Sequence, residues 1–280
     1  MSSSAAIGKS RRLRRIIRPD SGKTVIIPVD DLLIAGPKDG LDRPQAKLAD
    51  IVAGQPDALL AFSGTFRAHA DTLEAIPGIL NVTASTVRGD HTRKVKVTDV
   101  TEAIALGVDA VAVHVNVTAR GEGEMLQTLG FVAGECDRLG IPLMAIMYPR
   151  CEKGGADYNY DDLKDTNPSQ YCKLIAHVAR IAVDLGADLI KTRFTGDADS
   201  FRTVVEACAP VPIVIAGGPT MSPLAMLTVA QAAVEGGGAG VSFGRNVFGQ
   251  RESRRCIEAL KLVVHEALSP ETAWNRASTT

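Results

Sequence analysis

The sequence predicts a (β/α)₈ barrel, and three observations predict it. Eight short runs rich in aliphatic and β-branched residues recur along the 280 residues. They are apolar at successive rather than alternate positions, as in parallel strands covered on both faces. Segments of helical period separate them, and strand ends recur roughly every 30 residues, the spacing of βα units.

The predicted strands are 24–29, 58–62, 79–83, 110–115, 143–147, 189–192, 212–216 and 240–242. Between them, residues 171–186 place Leu174, Ile175, Val178, Ile181, Ala182 and Leu185 at steps of three and four, with Gly186 where a C-cap glycine belongs. In 222–234, Ser222 is the predicted N-cap and Pro223 the first helical residue. A doubly wound open sheet shares the alternation. It usually has fewer strands and a glycine fingerprint after the first, and none follows residue 29. The barrel is expected to span 20–268 as one domain, between a loose basic segment (1–19) and a loose tail (269–280).

Composition excludes several classes. With 45% apolar and 22% charged residues the chain can bury a core. A net charge of −1 gives no strong field toward nucleic acid or an acidic membrane. The N-terminal cations Lys9, Arg11, Arg12, Arg14, Arg15 and Arg18 are expected on a solvated helix face, with an RNA or partner contact as the alternative. No apolar run has the length of a membrane span or follows these charges as in a secretory signal. Five scattered cysteines without CxxC spacing point to a reduced cytoplasm, not to disulfides or zinc.

Active sites of such barrels lie at the C-terminal strand ends. The polar residues expected there are Asp30 and Asp31, Ser63, Ser85 and Thr86, His114 and Asn116, Tyr148 and Arg150, and Lys191 and Arg193. Gly217 and Gly218 follow strand 7, and Gly244 and Arg245 follow strand 8. Lys191 ends the apolar run of ADLIKT. Withdrawing an amine from water disfavours its charged form, and a neutral amine is a nucleophile toward a ketone. A structural lysine paired with a carboxylate such as Asp30 is the alternative. The glycine turns AGGPT and SFGRN occupy the two loops where many barrels hold a phosphate on backbone N–H groups, and Arg245 could add a charge-assisted contact. Tyr148 is placed to move a proton or to form part of the wall. His114 is more readily a structural histidine than a catalyst. No HExxH, Cys/His cluster or carboxylate set has metal spacing, so neither metal nor other cofactor is expected.

The motifs IPVDDLLIAGPKDGL, VHVN, MYPR, LGADLIKT, IAGGPT and SFGRNVF, in this order, resemble the archaeal-type class I aldolases. That family includes fructose-bisphosphate aldolases, 2-amino-3,7-dideoxy-D-threo-hept-6-ulosonate synthases and the C7 synthase of 3-amino-4-hydroxybenzoate biosynthesis. The match covers residues 10–265. The resemblance implies a (β/α)₈ barrel assembled as a homo-oligomer, commonly a decamer of pentameric rings. It implies Lys191 as the Schiff-base lysine, Asp30 as the proton-handling acid, Tyr148 as the residue acting on the carbon acid, and Gly217, Gly218, Gly244 and Arg245 as phosphate loops.

Three departures bear on the acceptor aldehyde. Asp30-Asp31-Leu32 stands where the family commonly has Asp-His-Gly, and Cys151 stands where Gly follows MYPR. The segment between Tyr148 and Lys191 is also longer. The expected partners are a phosphorylated ketose, dihydroxyacetone phosphate, and a small aldehyde. L-aspartate 4-semialdehyde is the favoured aldehyde, with Asp31 meeting its ammonium and His114 and Arg150 among the substrate contacts. The alternatives are fructose-1,6-bisphosphate cleavage, which needs a second cationic site from Arg67, Arg88 or Arg150, a 2-amino-3,7-dideoxy-D-threo-hept-6-ulosonate synthase, and, from other classes, a phosphosugar isomerase without a covalent lysine or a non-catalytic phosphate-ligand binding protein. The polar insert 154–167 is expected to be a mobile lid or an oligomer-contact loop.

Overall fold

The computed structural model describes residues 3–37 and 40–277. Eight parallel strands close a barrel: β1 (Thr24–Pro28), β2 (Ala58–Ala61), β3 (Gly78–Asn81), β4 (Ala110–Val117), β5 (Leu143–Pro149), β6 (Leu189–Thr192), β7 (Ile213–Ala216) and β8 (Gly240–Ser242). Neighbours follow chain order, and β8 closes on β1 through Thr24↔Gly240 and Ile26↔Ser242. The closure is tight. A Cβ on Gly240, whose φ is +123°, would lie 2.0 Å from the Thr24 carbonyl oxygen.

Every strand lies where the apolar runs put it. The largest differences are at β3, which runs 78–81 instead of 79–83, and at β4 and β5, which continue two residues further than expected, to Val117 and Pro149. These two strands pair from Val111↔Leu143 to Val117↔Pro149, so backbone pairing carries them past their apolar runs. That extension raises Asn116 and Tyr148 to the barrel mouth.

The described helices of seven or more residues are α1 (Ser4–Ile16), α2 (Pro44–Ala53), α3 (Val100–Leu106), α4 (Glu122–Leu139), α5 (Pro168–Asp184), α6 (Ala198–Cys208), α7 (Pro223–Glu235), α8 (Ser253–Glu266) and α9 (Pro270–Arg276). Short turns at Ser63–Ala68 and Ala70–Leu73 connect β2 to β3. Ser222 caps α7 by accepting from the Ala225 N–H, with Pro223 in the first turn. No described helix is long and apolar enough to cross a membrane.

The pleat sorts side chains into two cores. Ile26, Ala58, Leu60, Ile79, Ala110, Ala112, Met144, Ile146, Leu189 and Val214 fill the barrel. Their neighbours Val25, Ile27, Leu59, Leu80, Val111, Val113, Ala145 and Ile190 pack outward against the helices. Both faces are covered, which is why the runs read as continuous.

The termini differ from expectation. Residues 4–16, expected to be loose, form α1, which closes the barrel bottom. Ile16 is fully buried and belongs to the inner core. Three aspartates, each immediately before an even-numbered strand, accept a backbone N–H from the preceding strand. Asp57 takes that of Val25, Asp109 that of Gly78 and Asp188 that of Leu143. Each also meets a cation from α1 or the residues after it: Arg18 to Asp57 at 2.5 Å, Arg15 to Asp109 at 3.0 Å and Lys9 to Asp188 at 2.9 Å. Half of the basic cluster is therefore docked on an acidic ring. His265 of α8 adds a 2.8 Å bond to Asp57. The tail carries α9, capped by Ser269, with Trp274 stacked on the Arg255 guanidinium at 4.1 Å.

Ile16→Ala should lower the unfolding free energy by about 2–5 kcal/mol, as for a buried aliphatic truncation. The exposed Ile7→Ala should change it by less than about 0.5 kcal/mol. Urea titration decides, and equal effects would contradict the plug. Burial alone would raise the Asp57 carboxyl, but His265 and Arg18 outweigh it and hold it below its ordinary value. Its contribution is then complete above the unfolded carboxylate value of about 4 and is lost as pH falls through the folded one. Asp57→Asn should flatten the acid limb of the stability profile, and an unaltered limb would contradict the clamp.

Candidate active site

The barrel mouth holds a cavity of about 340 Å³ lined by Asp30, Asp31, His91, Lys94, His114, Tyr148, Arg150, Asp157, Asn159, Lys191, Gly217, Gly218, Gly244 and Arg245 among others. The ten residues assigned catalytic or substrate-binding roles from the sequence are all in this wall, whereas Ser63, Ser85, Thr86, Asn116 and Arg193, also expected at strand ends, are not among its lining residues. The strand register explains the inner ones. Leu189 points into the barrel, so Lys191, two residues on, does too. Lys191 is 7% exposed and sits beside Ile146 of β5 and Val214 of β7. Tyr148 stands one step above Ile146, opposite Asn116.

Asp30 ends the β1 run and precedes the short helix Asp31–Ile34. Burial pushes its carboxyl up, against the lowering effects of the Lys191 charge and of a 3.1 Å hydrogen bond from Asn81 Nδ2. Asp30 is thus an acid that retains its proton to higher pH than a free carboxyl. His114 is held well below its ordinary value by burial, with the Lys94 and Arg150 charges adding to it. Asn116 donates its amide to the Thr92 carbonyl at 2.8 Å, which turns Asn116 Oδ1 toward His114 Nε2 at 3.0 Å. That oxygen accepts only, so His114 is assigned the Nε2–H tautomer. Its ring meets Tyr148 edge-on at 5.0 Å.

The loops after β7 and β8 form one side of the mouth. Buried Asn246 ties them together, donating to the carbonyls of Gly217 (2.8 Å) and Pro219 (3.1 Å) and accepting from the Met221 N–H (2.8 Å). A Cβ on Gly217 would come within 2.8 Å of Asn246 Nδ2, and one on Gly244 within 2.9 Å of the Pro28 carbonyl. Glycine here lets the two turns and β1 approach one another. Arg245 reaches back to the Gly218 carbonyl at 3.3 Å. Asp31 lies 3.9 Å from Arg245 Nε, on this side of the mouth.

The opposite side contains residues that sequence reasoning missed. Lys94 is 4% exposed and donates to Ser85 Oγ at 2.6 Å. Burial and the nearby Arg150 charge bring it down to about 8. His91 is brought down to about 4 by burial and by the Lys94 and Arg150 charges. The insert 154–167 holds the turn and second strand of a hairpin, Cys151–Lys153 against Ala156–Tyr158, followed by the helix Asp161–Thr166. Arg150 Nε donates to Asn159 Oδ1 at 2.7 Å, so the hairpin is part of the cavity wall. Arg193 forms an ion pair with Asp161 and fastens the insert to the end of β6. Of GPKDGL at 36–41, Lys38 and Asp39 lie outside the described residues. Among the described residues no three His, Cys, Asp or Glu converge to hold a metal ion.

The DeoC/LacD family aldolase model matches residues 24–250. The chain is 34% identical over 271 residues to the 2-amino-4,5-dihydroxy-6-oxo-7-(phosphonooxy)heptanoate synthase of Streptomyces griseus, covering 95% of this chain and 94% of that protein. It is 35% identical over 272 residues to the 2-amino-3,7-dideoxy-D-threo-hept-6-ulosonate synthase of Halobacterium salinarum, covering 96% of each. An archaeal fructose 1,6-bisphosphate aldolase superposes with a TM-score of 0.80 at 26% identity, over 92% of this chain and 99% of that one. A structure of such an enzyme with its catalytic lysine covalently bound to the carbinolamine intermediate superposes at 0.79 and 25% identity, over 92% and 99%. With one family model spanning the barrel and relatives matched end to end, the chain belongs to the DeoC/LacD aldolase family and is a class I aldolase.

Proposed function

We propose that this aldolase joins dihydroxyacetone phosphate to L-aspartate 4-semialdehyde, giving 2-amino-4,5-dihydroxy-6-oxo-7-(phosphonooxy)heptanoate. The observation that carries the chemistry is the amine of Lys191, buried on the inner face of β6 in one cavity with Tyr148 and Asp30. The product follows that of the Streptomyces griseus relative.

In this reading Lys191 Nζ adds to the ketone carbon, and the carbinolamine loses water to give an iminium. Asp30, whose carboxyl burial pushes above its ordinary value, supplies the proton for the departing hydroxyl. The iminium draws electrons from the neighbouring hydroxymethyl carbon, and Tyr148 takes its proton. The enamine so formed attacks the aldehyde carbon, the new alkoxide is protonated, and water adding to the iminium releases the product and the amine. Backbone groups of Gly217, Gly218 and Gly244, with Arg245, hold the phosphate. Binding energy at that remote group then orients the reacting carbons. The enzyme works as a homo-oligomer in the cytoplasm, as the sequence resemblance and the reduced cysteines suggest.

The acceptor is tested by offering dihydroxyacetone phosphate with L-aspartate 4-semialdehyde or with glyceraldehyde 3-phosphate and identifying the products by mass spectrometry. The semialdehyde should be preferred by at least about tenfold in kcat/KM, within the range one pocket achieves by matching polar groups. The opposite preference would make the enzyme a fructose-1,6-bisphosphate aldolase. Tyr148→Phe should lower turnover by about 10²–10⁴, the usual scale for a lost proton-transfer group. Turnover within tenfold of the native enzyme would remove Tyr148 from the proton step.

A further inference from the structure

The two sides of the cavity face each other across the barrel. In a closed ring of eight strands, β3 lies opposite β7 and β4 opposite β8. The glycine loops follow β7 and β8. Lys94 and His91 lie in the connection from β3 to β4, and Arg150 and Asp157 follow β5. If the phosphate sits on the glycine loops and Lys191 lies between, the second substrate extends toward Lys94 and Arg150.

That side has both signs of charge. Lys94 and Arg150 are cations, and Asp157 Oδ2 lies 4.0 Å from Arg150 Nη1 and 3.7 Å from His91 Nε2. Both ring nitrogens of His91 are occupied when it is neutral. Nδ1 meets Ser85 Oγ at 3.3 Å, and Nε2 accepts from Arg150 Nη1 at 3.3 Å. Ser85 in turn donates to the His91 carbonyl at 2.9 Å. The network holds Lys94 and Arg150 in place: Lys94 meets a neutral hydroxyl, and Arg150 pairs with Asp157 only at the long limit of an ion pair. An ammonium has three donors, and the Ser85 hydroxyl takes one of those of Lys94.

We propose that Lys94, Arg150 and Asp157 form an acceptor subsite for an aldehyde that carries both a carboxylate and an ammonium group. The carboxylate binds Lys94 and Arg150, and the ammonium binds Asp157. This rests on the aldolase reading above and deepens it. A dianionic phosphate would meet the same two cations but also the Asp157 carboxylate, and like charges at this range repel. A zwitterion is attracted to all three. Asp31 is beside Arg245 on the other side, so it is Asp157 of the insert that reads the amino group.

The test compares the native enzyme with Lys94→Met and Asp157→Asn. Dihydroxyacetone phosphate is the donor. The acceptors are L-aspartate 4-semialdehyde (both groups), succinic semialdehyde (carboxylate alone) and butanal (neither). Incorporation of solvent deuterium into the donor, without aldehyde, reports enamine formation independently of the acceptor. Lys94→Met should raise KM about 10- to 100-fold for both carboxylate aldehydes and less than about threefold for butanal, the scale of one charge-assisted hydrogen bond. Asp157→Asn should raise KM for L-aspartate 4-semialdehyde alone. Deuterium incorporation with equal KM changes for all three aldehydes would overturn the subsite and leave the aldolase reading standing. No incorporation by the native enzyme would overturn the aldolase reading and the subsite with it.

Discussion

An amine buried in an apolar barrel is the constraint to which the rest of the structure answers. Lys191 shares the inner face of β6 with Leu189, and the layer beneath it is aliphatic. Lys191 is 7% exposed, and it lines the cavity at the barrel mouth. The pleat of β6 allows no other aim for this side chain, and pairing with both β5 and β7 fixes the strand. Asp30 meets the same environment from the other direction. Burial resists the ionisation of its carboxyl, and acid and amine face one cavity.

The two ends of the barrel divide the work of folding and chemistry. At the bottom, α1 and the aspartates before β2, β4 and β6 link strand starts to cations, and Ile16 fills the centre. There the charges satisfy one another. At the mouth the charges face a cavity instead. The glycine loops leave little side chain on one side, and Lys94, Arg150 and Asp157 crowd the other. The proposed pair, a phosphorylated ketose on the glycine loops and a polar aldehyde on the opposite side, matches this polarity.

The fold was legible because burial on both faces makes parallel strands into uninterrupted apolar runs. Lys191 stood out for the same reason, as a cation ending such a run. Lys94 did not. It lies in Lys94-Val95-Lys96-Val97, an alternation typical of an exposed edge, and only the long connection from β3 to β4 folding over the mouth buries it. Asp157 and Asn159 were hidden by an insert whose composition says polar but not where it docks. The acidic ring was present as a repeat, Pro56-Asp57-Ala58, Val108-Asp109-Ala110 and Ala187-Asp188-Leu189, each opening a strand. The docking of the basic helix is not legible in the sequence because its partners come from three distant segments that only barrel closure assembles.

The central claim is a covalent bond from Lys191 to the donor ketone. It is tested most directly by reducing the enzyme with borohydride in the presence of dihydroxyacetone phosphate and sequencing the modified peptide by mass spectrometry. The account predicts a reduced triose-phosphate adduct on Lys191, absent from Lys191→Arg. An adduct on another lysine such as Lys94, or none while the ligand is shown to bind, would contradict it.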